Sequence, residues 1–553
     1  MNVRAPSAHA AGGRDSRAAG PGCARLSGVE EPAAAVHTVA DLVTRAAERA
    51  GDRPALLSGP ATLTWAELDE LVDRAAAALR GLDLAAGDRI VLQLGNSVDF
   101  PALYFGALRA GLVAVPANTG YTGPELTHLL QDSGARALVT SSVHVIGEAD
   151  ALRTGELRHV LVAAPSGPDG TLPLPGLLAD APELAYRHVP RSPEDLAVLG
   201  YTSGTSGKPR GAMLSHRALL ANLEQCAALW PTPVLPNDVV LLAVPLFHAY
   251  GLNPGLGLLT RAGATGVLVD HFDPAETLEL ISRHGITAVP AVPAMYVRWA
   301  AEPGLRAAFA GVRLATSGAA PLPPTTLLAL GAAGISVYEG YGLTEAAPVL
   351  TSTLVGGTPK PGSVGRVIPG VELRLVEAIG GEVEPEPEPE GEDGPGELDL
   401  VGPGGGPGEI VVRGPNLFSG YWPDGADGPD ADGWWPTGDV AYADDDGDLH
   451  LVDRRTELIL VSGFNVYPAE VEAVLAAHPG VAEAAVVGRP EPERGDETVL
   501  AYVVPAAGAA PTQQELLDWA ARSLARFKLP AAVEFVSELP HTATGKVIKS
   551  QLR

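Results

Sequence analysis

The sequence predicts an α/β fold: a large multi-layer N-terminal domain of mixed sheets and helices, followed by a small α+β C-terminal domain. Three observations carry that reading. Helix and strand patterns alternate from about residue 37 to 200 and resume after 239, which implies mainly parallel sheets layered with helices. Hydrophobic residues make up 46% of the 553, enough for a large core and several domains. Near residue 454 the pattern changes to a compact run of about 100 residues, a usual size for a separate domain.

Taken in order, residues 1–36 are rich in Ala, Gly and Arg, with no apolar signal-peptide core after Arg4. They are expected to form a disordered extension. The large domain spans 37–453. Residues 64–82 carry apolar side chains at helical spacing, and Thr64 stands three residues before Glu67, a capping-box pattern. RIVLQL (89–94) reads as a short buried strand and VDFPALYFGALRAG (98–111) as the helix after it. ALVT (137–140) and HVLVAA (159–164) are further apolar runs. VVLLAV (239–244) leads into PLFHAYG, a strand ending in a loop. ITAVPAV (286–292) and VRLATSGAAPLP (312–323) repeat the pattern. Residues 380–408 are an acidic Pro/Gly-rich insertion that cannot pack a core and is expected to be extended and solvated. In the C-terminal domain, 454–553, YPAEVEAVLAAHPGV (467–481) reads as a helix, followed by strands AEAAVVG and TVLAYVVP. Residues 511–527 form a second helix, with a Thr512–Glu515 capping box, and AAVEFV a third strand.

The net charge of −28 argues against nucleic-acid binding through phosphate neutralisation. Two cysteines, Cys23 and Cys226, make a disulfide framework improbable and suit a reducing, cytoplasmic compartment. No apolar run reaches membrane-spanning length. Only five lysines occur: Lys208, Lys360, Lys528, Lys546 and Lys549. Where only a cation is needed this chain uses Arg, so its lysines are candidates for sites that need a compact ammonium.

The densest chemistry lies in YTSGTSGKPRGAMLSH (201–216). Thr202, Ser203, Thr205 and Ser206 offer hydroxyls, Gly204 and Gly207 allow backbone N–H groups to approach an anion, and Lys208 adds a charge. The loop is built to hold phosphate, yet it departs from the Walker A pattern at Thr202 and Pro209. Four further segments join it: YEGYGLTE (338–345), WWPTGD (434–439), DRRTELILVSGFNVYPAEVE (453–472) and HTATGKVIKSQLR (541–553). Each taken alone has an ordinary structural reading, as a turn cap or a solvated charge.

Together and in this order, these segments resemble the adenylate-forming superfamily, and within it the fatty-acyl/aryl-CoA ligase branch. The resemblance covers residues 38–553. It implies an acid–thiol ligase that uses ATP, Mg²⁺ and CoA on a small-molecule carboxylic acid. It implies that the loop Thr202, Ser203, Gly204, Thr205, Ser206, Gly207 and Lys208 holds the β- and γ-phosphates of ATP. Gly318, Ala319 and Ala320 match the wall beside adenine, and Tyr341, between Gly340 and Gly342, matches the residue stacking on it. Thr344 matches a phosphate-contacting hydroxyl, Glu345 with Thr202 the Mg²⁺ site, and Asp439 and Arg454 the ribose contacts. Lys546 matches the lysine bridging the carboxylate and the α-phosphate, and His248 the aromatic position beside the acyl pocket. Ser462, Gly463 and Phe464 match the loop lining the pantetheine tunnel. The small domain is then mobile and rotates between two half-reactions.

Three departures stand out: Arg210 where lysine is common, Thr456 at the hinge where Lys or Asp is common, and the acidic insertion. The alternatives are an acyl-AMP ligase or amino-acid adenylation enzyme loading the thiol of an acyl carrier protein, a non-enzymatic binding protein and, remotely, luciferase-type chemistry. Only about 20 residues separate Glu345 from SVGRV, which favours CoA, and no acid stands between Phe247 and Gly257 to hold an amino group; the apolar, glycine-rich AYGLNPGLGLL suits a fatty or other aliphatic or aromatic acid. The chain is expected to be a monomer or homodimer.

Overall fold

The computed structural model describes residues 36–141, 156–182, 189–202, 209–356, 358–377, 406–454, 459–461, 464–466, 468–491, 496–524, 528–542 and 545–552. The N-terminal extension, the 203–208 loop, all but the end of the 380–408 insertion, Thr456, Ser462 and Gly463 lie outside the described residues.

Short apolar runs become two large sheets. One has seven strands, with Arg89–Gln93, Val113–Pro116 and Leu196–Thr202 parallel at its centre and Arg210–Ser215 returning antiparallel at its edge. The other has nine, with Val239–Leu242, Thr265–Leu268, Ala288–Ala291, Leu314–Ser317 and Val337–Gly342 parallel. Runs such as Val113–Pro116 and Ala137–Thr140 are buried at every position, as parallel strands covered on both faces must be.

The helices follow the same logic. Trp65–Arg80 starts at the Thr64–Glu67 capping box. Asp99–Arg109 is buried on every side but its first residue, and so reads as apolar all round. Its Arg109 guanidinium is buried against Asp69 at 2.6 Å and Asp73 at 2.7 Å, both from the preceding helix. Among the described residues no helix is long and apolar enough to cross a membrane.

A four-stranded antiparallel sheet follows: Glu372–Glu377, Gly408–Arg413, Trp434–Ala443 and Leu449–Arg454. Beyond it, strands Val481–Glu491, Asp496–Pro505 and Ala532–Phe535 and two helices enclose a separate core of Ile459, Val471, Leu475, Val503 and Leu516.

One reading is corrected. The helix expected over 511–527 is Gln513–Ala520. A tight turn follows, with Ser523 and Leu524 N–H groups on the Ala520 carbonyl, and it drops Leu524 into the small core. The capping box at Thr512 is as expected. The PLFHAYG loop passes into an element the sequence did not suggest: Gly251–Gly257 is a π-type helix, buried throughout, that continues into Leu258–Ala262. Asn253 holds it, donating to the Leu219 carbonyl at 3.1 Å and the Ala347 carbonyl at 2.7 Å. Its Gly and Pro content hides a helix that tertiary bonds sustain.

Candidate active site

A cavity of about 460 Å³ opens where C-terminal strand ends from the two large sheets meet. Leu196–Thr202 brings Tyr201 and Thr202 from one sheet. Leu314–Ser317 and Val337–Gly342 bring Gly318, Ala319 and the GYGLTE segment from the other. Ligands in parallel α/β sheets characteristically sit outside such carboxyl ends.

The GYGLTE turn is tight by necessity. A side chain on Gly342 would place its Cβ 1.9 Å from the Pro348 carbonyl oxygen, which leaves glycine as the residue that fits. Leu343 N donates to that carbonyl at 3.0 Å, and the single turn Thr344–Ala346 presents Thr344 and Glu345 to the cavity. Glu345 is held twice. Its carbonyl accepts from Phe418 N at 2.8 Å, and its Oε1 accepts from the Tyr421 hydroxyl at 2.7 Å. Burial and the Glu345 charge push the Tyr421 pKa well up, so the hydroxyl remains a donor. The Arg210 guanidinium lies 3.8 Å from the Tyr421 ring centroid and pairs with Asp427 at 2.7 Å. A planar guanidinium stacks on a ring as an ammonium does not. Arg210 therefore ties the start of the edge strand Arg210–Ser215 to the residue that holds Glu345.

Tyr341 is buried, and its hydroxyl donates to Asp439 Oδ2 at 2.7 Å. Arg454 stands opposite Asp439 in the antiparallel register. Gly340, Tyr341 and Gly342 line the cavity, as do Gly318 and Ala319; Ala320 and Asp439 do not reach its wall. Glu339 does, and the sequence reading passed it over. It is 5% exposed. Its Oε2 accepts from Leu322 N at 3.0 Å, while Oε1 is buried with no partner. Burial pushes its pKa up to about 7. Strand alternation in VYEGYG pointed Glu339 inward with Tyr341, which was the available signal.

His248 lines the cavity. Asn96, in the loop after Arg89–Gln93, sets its segment: Nδ2 donates to the carbonyls of Leu242 and Val244, both at 3.0 Å, and Oδ1 accepts from Leu246 N at 2.8 Å. Burial lowers the His248 pKa to about 4, so the ring is neutral at pH 7. Nδ1 accepts from Tyr250 N at 3.3 Å, leaving the ring proton on Nε2.

Lys546 arrives from the C-terminal segment. Thr542 N donates to the Lys546 carbonyl at 2.8 Å, and Lys546 N to Thr542 Oγ1 at 3.1 Å. Gly545 closes this turn at φ +84°. Thr542 and Lys546 both line the cavity. Three other lysines sit in ion pairs: Lys528 with Glu470 at 2.6 Å, Lys549 with Glu472 at 2.9 Å, and Lys360 among Asp444, Asp446 and Asp448. That acidic trio already holds a cation of the chain's own. Ser203, Gly204, Thr205, Ser206, Gly207, Lys208, Ser462 and Gly463 fall outside the described residues; Phe464 begins the short strand Phe464–Val466.

The sequence profile of the AMP-binding enzyme family matches residues 43–422, and that of the AMP-binding enzyme C-terminal domain matches 470–546. The chain is 37% identical over 503 residues to a feruloyl-CoA synthase of Amycolatopsis sp, covering 90% of this chain and 95% of that one. It is 33% identical over 550 residues to a long-chain-fatty-acid–CoA ligase of Escherichia coli O157:H7, covering 94% of each. The crystal structure of ATP-bound MatB from Rhodopseudomonas palustris superposes with a TM-score of 0.82 at 34% identity, covering 93% of this chain and 98% of that one.

Proposed function

Because this chain belongs to the AMP-binding enzyme family, on its acyl-CoA ligase branch, we propose a division of labour for an ATP-dependent acid–thiol ligase. The enzyme joins a carboxylic acid to CoA in two steps. The carboxylate attacks the α-phosphate of ATP, forming acyl-AMP and releasing pyrophosphate. The CoA thiol then attacks the acyl carbon, and AMP leaves.

The observation that carries the residue roles is that Lys546, Thr344, Glu345 and Thr202 line one cavity. The first step brings two anions together, and charge accumulates on the phosphoryl oxygens. Lys546 is a mobile point charge that reaches both reacting groups. Thr344 donates to the α-phosphate. Asp439 takes the ribose hydroxyls, with Arg454 beside it. The base lies between Gly318–Ala319 and Tyr341, and its exocyclic amine meets the unpartnered Oε1 of Glu339. The Ser203–Lys208 loop grips the departing pyrophosphate. His248, neutral, closes the acyl side against water, which protects the mixed anhydride.

Glu345 and Thr202 offer oxygen donors only, a set that suits Mg²⁺. Bound there, Mg²⁺ supplies charge neutralisation at the phosphates; Tyr421 holds the Glu345 carboxylate for it. In the second step the small domain turns, Lys546 leaves the cavity and the Ser462–Phe464 loop takes its place.

The test is acid-dependent exchange between ATP and labelled pyrophosphate. Exchange that needs a carboxylic acid, and disappears when the acid is withheld, is the expected result. Exchange that runs without any acid would contradict the reading.

A further inference from the structure

The cavity runs on well beyond the phosphate end. It follows the nine-stranded sheet from Gly318 and Pro290, at C-terminal strand ends, back to Leu314 and Ala288 at the N-terminal ends. Four residues of strand at ~3.3 Å each make this run on the order of 13 Å. At its far end the lining passes to Leu229, Pro233 and Val234, in the segment after helix His216–Ala227. Leu229 and Val234 are buried, while Trp230 between them is 82% exposed. The segment is thus a wall with one face on the cavity and one on solvent.

That wall is clamped to the sheet edge. Arg313, just before strand Leu314–Ser317, donates to the carbonyls of Thr232 and Pro233, both at 3.0 Å. It also pairs with Asp238 at 2.5 Å. Asp238 accepts in turn from Leu235 N and from Thr287 Oγ1, each at 2.7 Å. A wall held this way cannot yield easily to a longer guest.

None of the cavity's cations lies on this run of strand. Among the described residues lining the cavity the cations are Arg210, at the start of the edge strand Arg210–Ser215, and Lys546, in the C-terminal segment. Along the sheet the polar groups are neutral. Tyr250 Oη shares a hydrogen bond with Thr316 Oγ1 at 3.1 Å, and Cys226 keeps its proton in its apolar surroundings. The lining carboxyls are Glu339 and Glu345. A second carboxylate on the substrate would be buried here with no countercharge and with an acid nearby, an arrangement that costs heavily.

We propose that Leu229, Pro233 and Val234 form the end wall of the acyl tunnel, and that the site selects monocarboxylic acids with an uncharged apolar tail over dicarboxylic acids of equal length. The inference rests on the ligase reading above and adds to it the substrate class and the residues that limit tail length.

The experiment measures acyl-CoA formation across straight-chain monocarboxylic acids of rising length and matched α,ω-dicarboxylic acids, for wild type, Val234→Phe and Leu229→Ala. The wild type should favour each monocarboxylic acid by at least about tenfold in kcat/KM over its dicarboxylic partner. Val234→Phe should lower the ratio of kcat/KM for the longest to the shortest accepted acid by about tenfold, and Leu229→Ala should raise it. Either variant alone suffices if the other does not fold. Dicarboxylic acids used as well as monocarboxylic ones, or a length ratio unmoved in a folded variant, would overturn the tunnel assignment while leaving the ligase intact. Failure of every acid to release AMP and pyrophosphate would overturn the ligase reading as well.

Discussion

Lys546 and Glu339 show opposite uses of a charge at the same cavity. Lys546 lines the cavity, and its proposed role is in the step in which negative charge builds up. Lys546→Ala should cut acyl-AMP formation by a factor of about 10²–10³, the usual loss for a group that stabilises transition-state charge. Thioester formation from supplied acyl-AMP should be largely retained. Equal loss in both half-reactions, measured separately, would contradict the division of labour. Glu339 instead carries a stability cost. Its folded pKa of about 7 lies above its unfolded value, so the folded state binds the proton more tightly and stability is lost as pH rises through that window. Glu339→Gln stays neutral. It should gain on wild type by about 2–3 kcal/mol at pH 8 and by almost nothing at pH 5. Thermal unfolding at the two pH values decides; a gain of equal size at both would refute the burial argument.

At the scale of elements, the Thr542–Lys546 turn is the piece that aims the lysine. Gly545 has φ +84°, and a Cβ there would lie 3.2 Å from Ala294 Cβ in the large domain. Gly545→Val should therefore reduce adenylation by about tenfold or more, the scale of loss when a positioning element shifts by an ångström. Melting temperature should fall modestly, since Val at a positive φ costs about 1–3 kcal/mol. Unchanged adenylation in the folded variant would show that the turn does not position Lys546.

Elements with strong local signals were legible. The capping boxes at Thr64 and Thr512 and the apolar strand runs stand where the residues put them. The Gly251–Gly257 helix was not, because Gly and Pro mask a conformation maintained by Asn253 and burial. The convergence of GYGLTE, His248 and Lys546 on one cavity was anticipated through resemblance. The supports were not: Asn96 under the His248 segment and Tyr421 on Glu345 act across 150 and 76 positions of sequence, and no local pattern reveals such pairs. Lysine scarcity singled out all five lysines alike, and Lys360, Lys528 and Lys549 prove to be ordinary ion-pair partners.

For the whole molecule, two large sheets line one cavity, and a small C-terminal domain with its own core brings Lys546 to its wall. On the proposed reading such a construction separates binding from commitment: the large domain holds ATP and acid, and chemistry waits for the small domain. The most direct test of this account is a mass balance. Purified protein is given ATP, Mg²⁺ and a panel of carboxylic acids, with and without CoA, and every product is identified by mass. With CoA the account predicts acyl-CoA, AMP and pyrophosphate in equal amounts; without it, pyrophosphate and enzyme-bound acyl-AMP. Release of ADP and phosphate, or acyl-AMP that CoA does not convert to thioester, would contradict it.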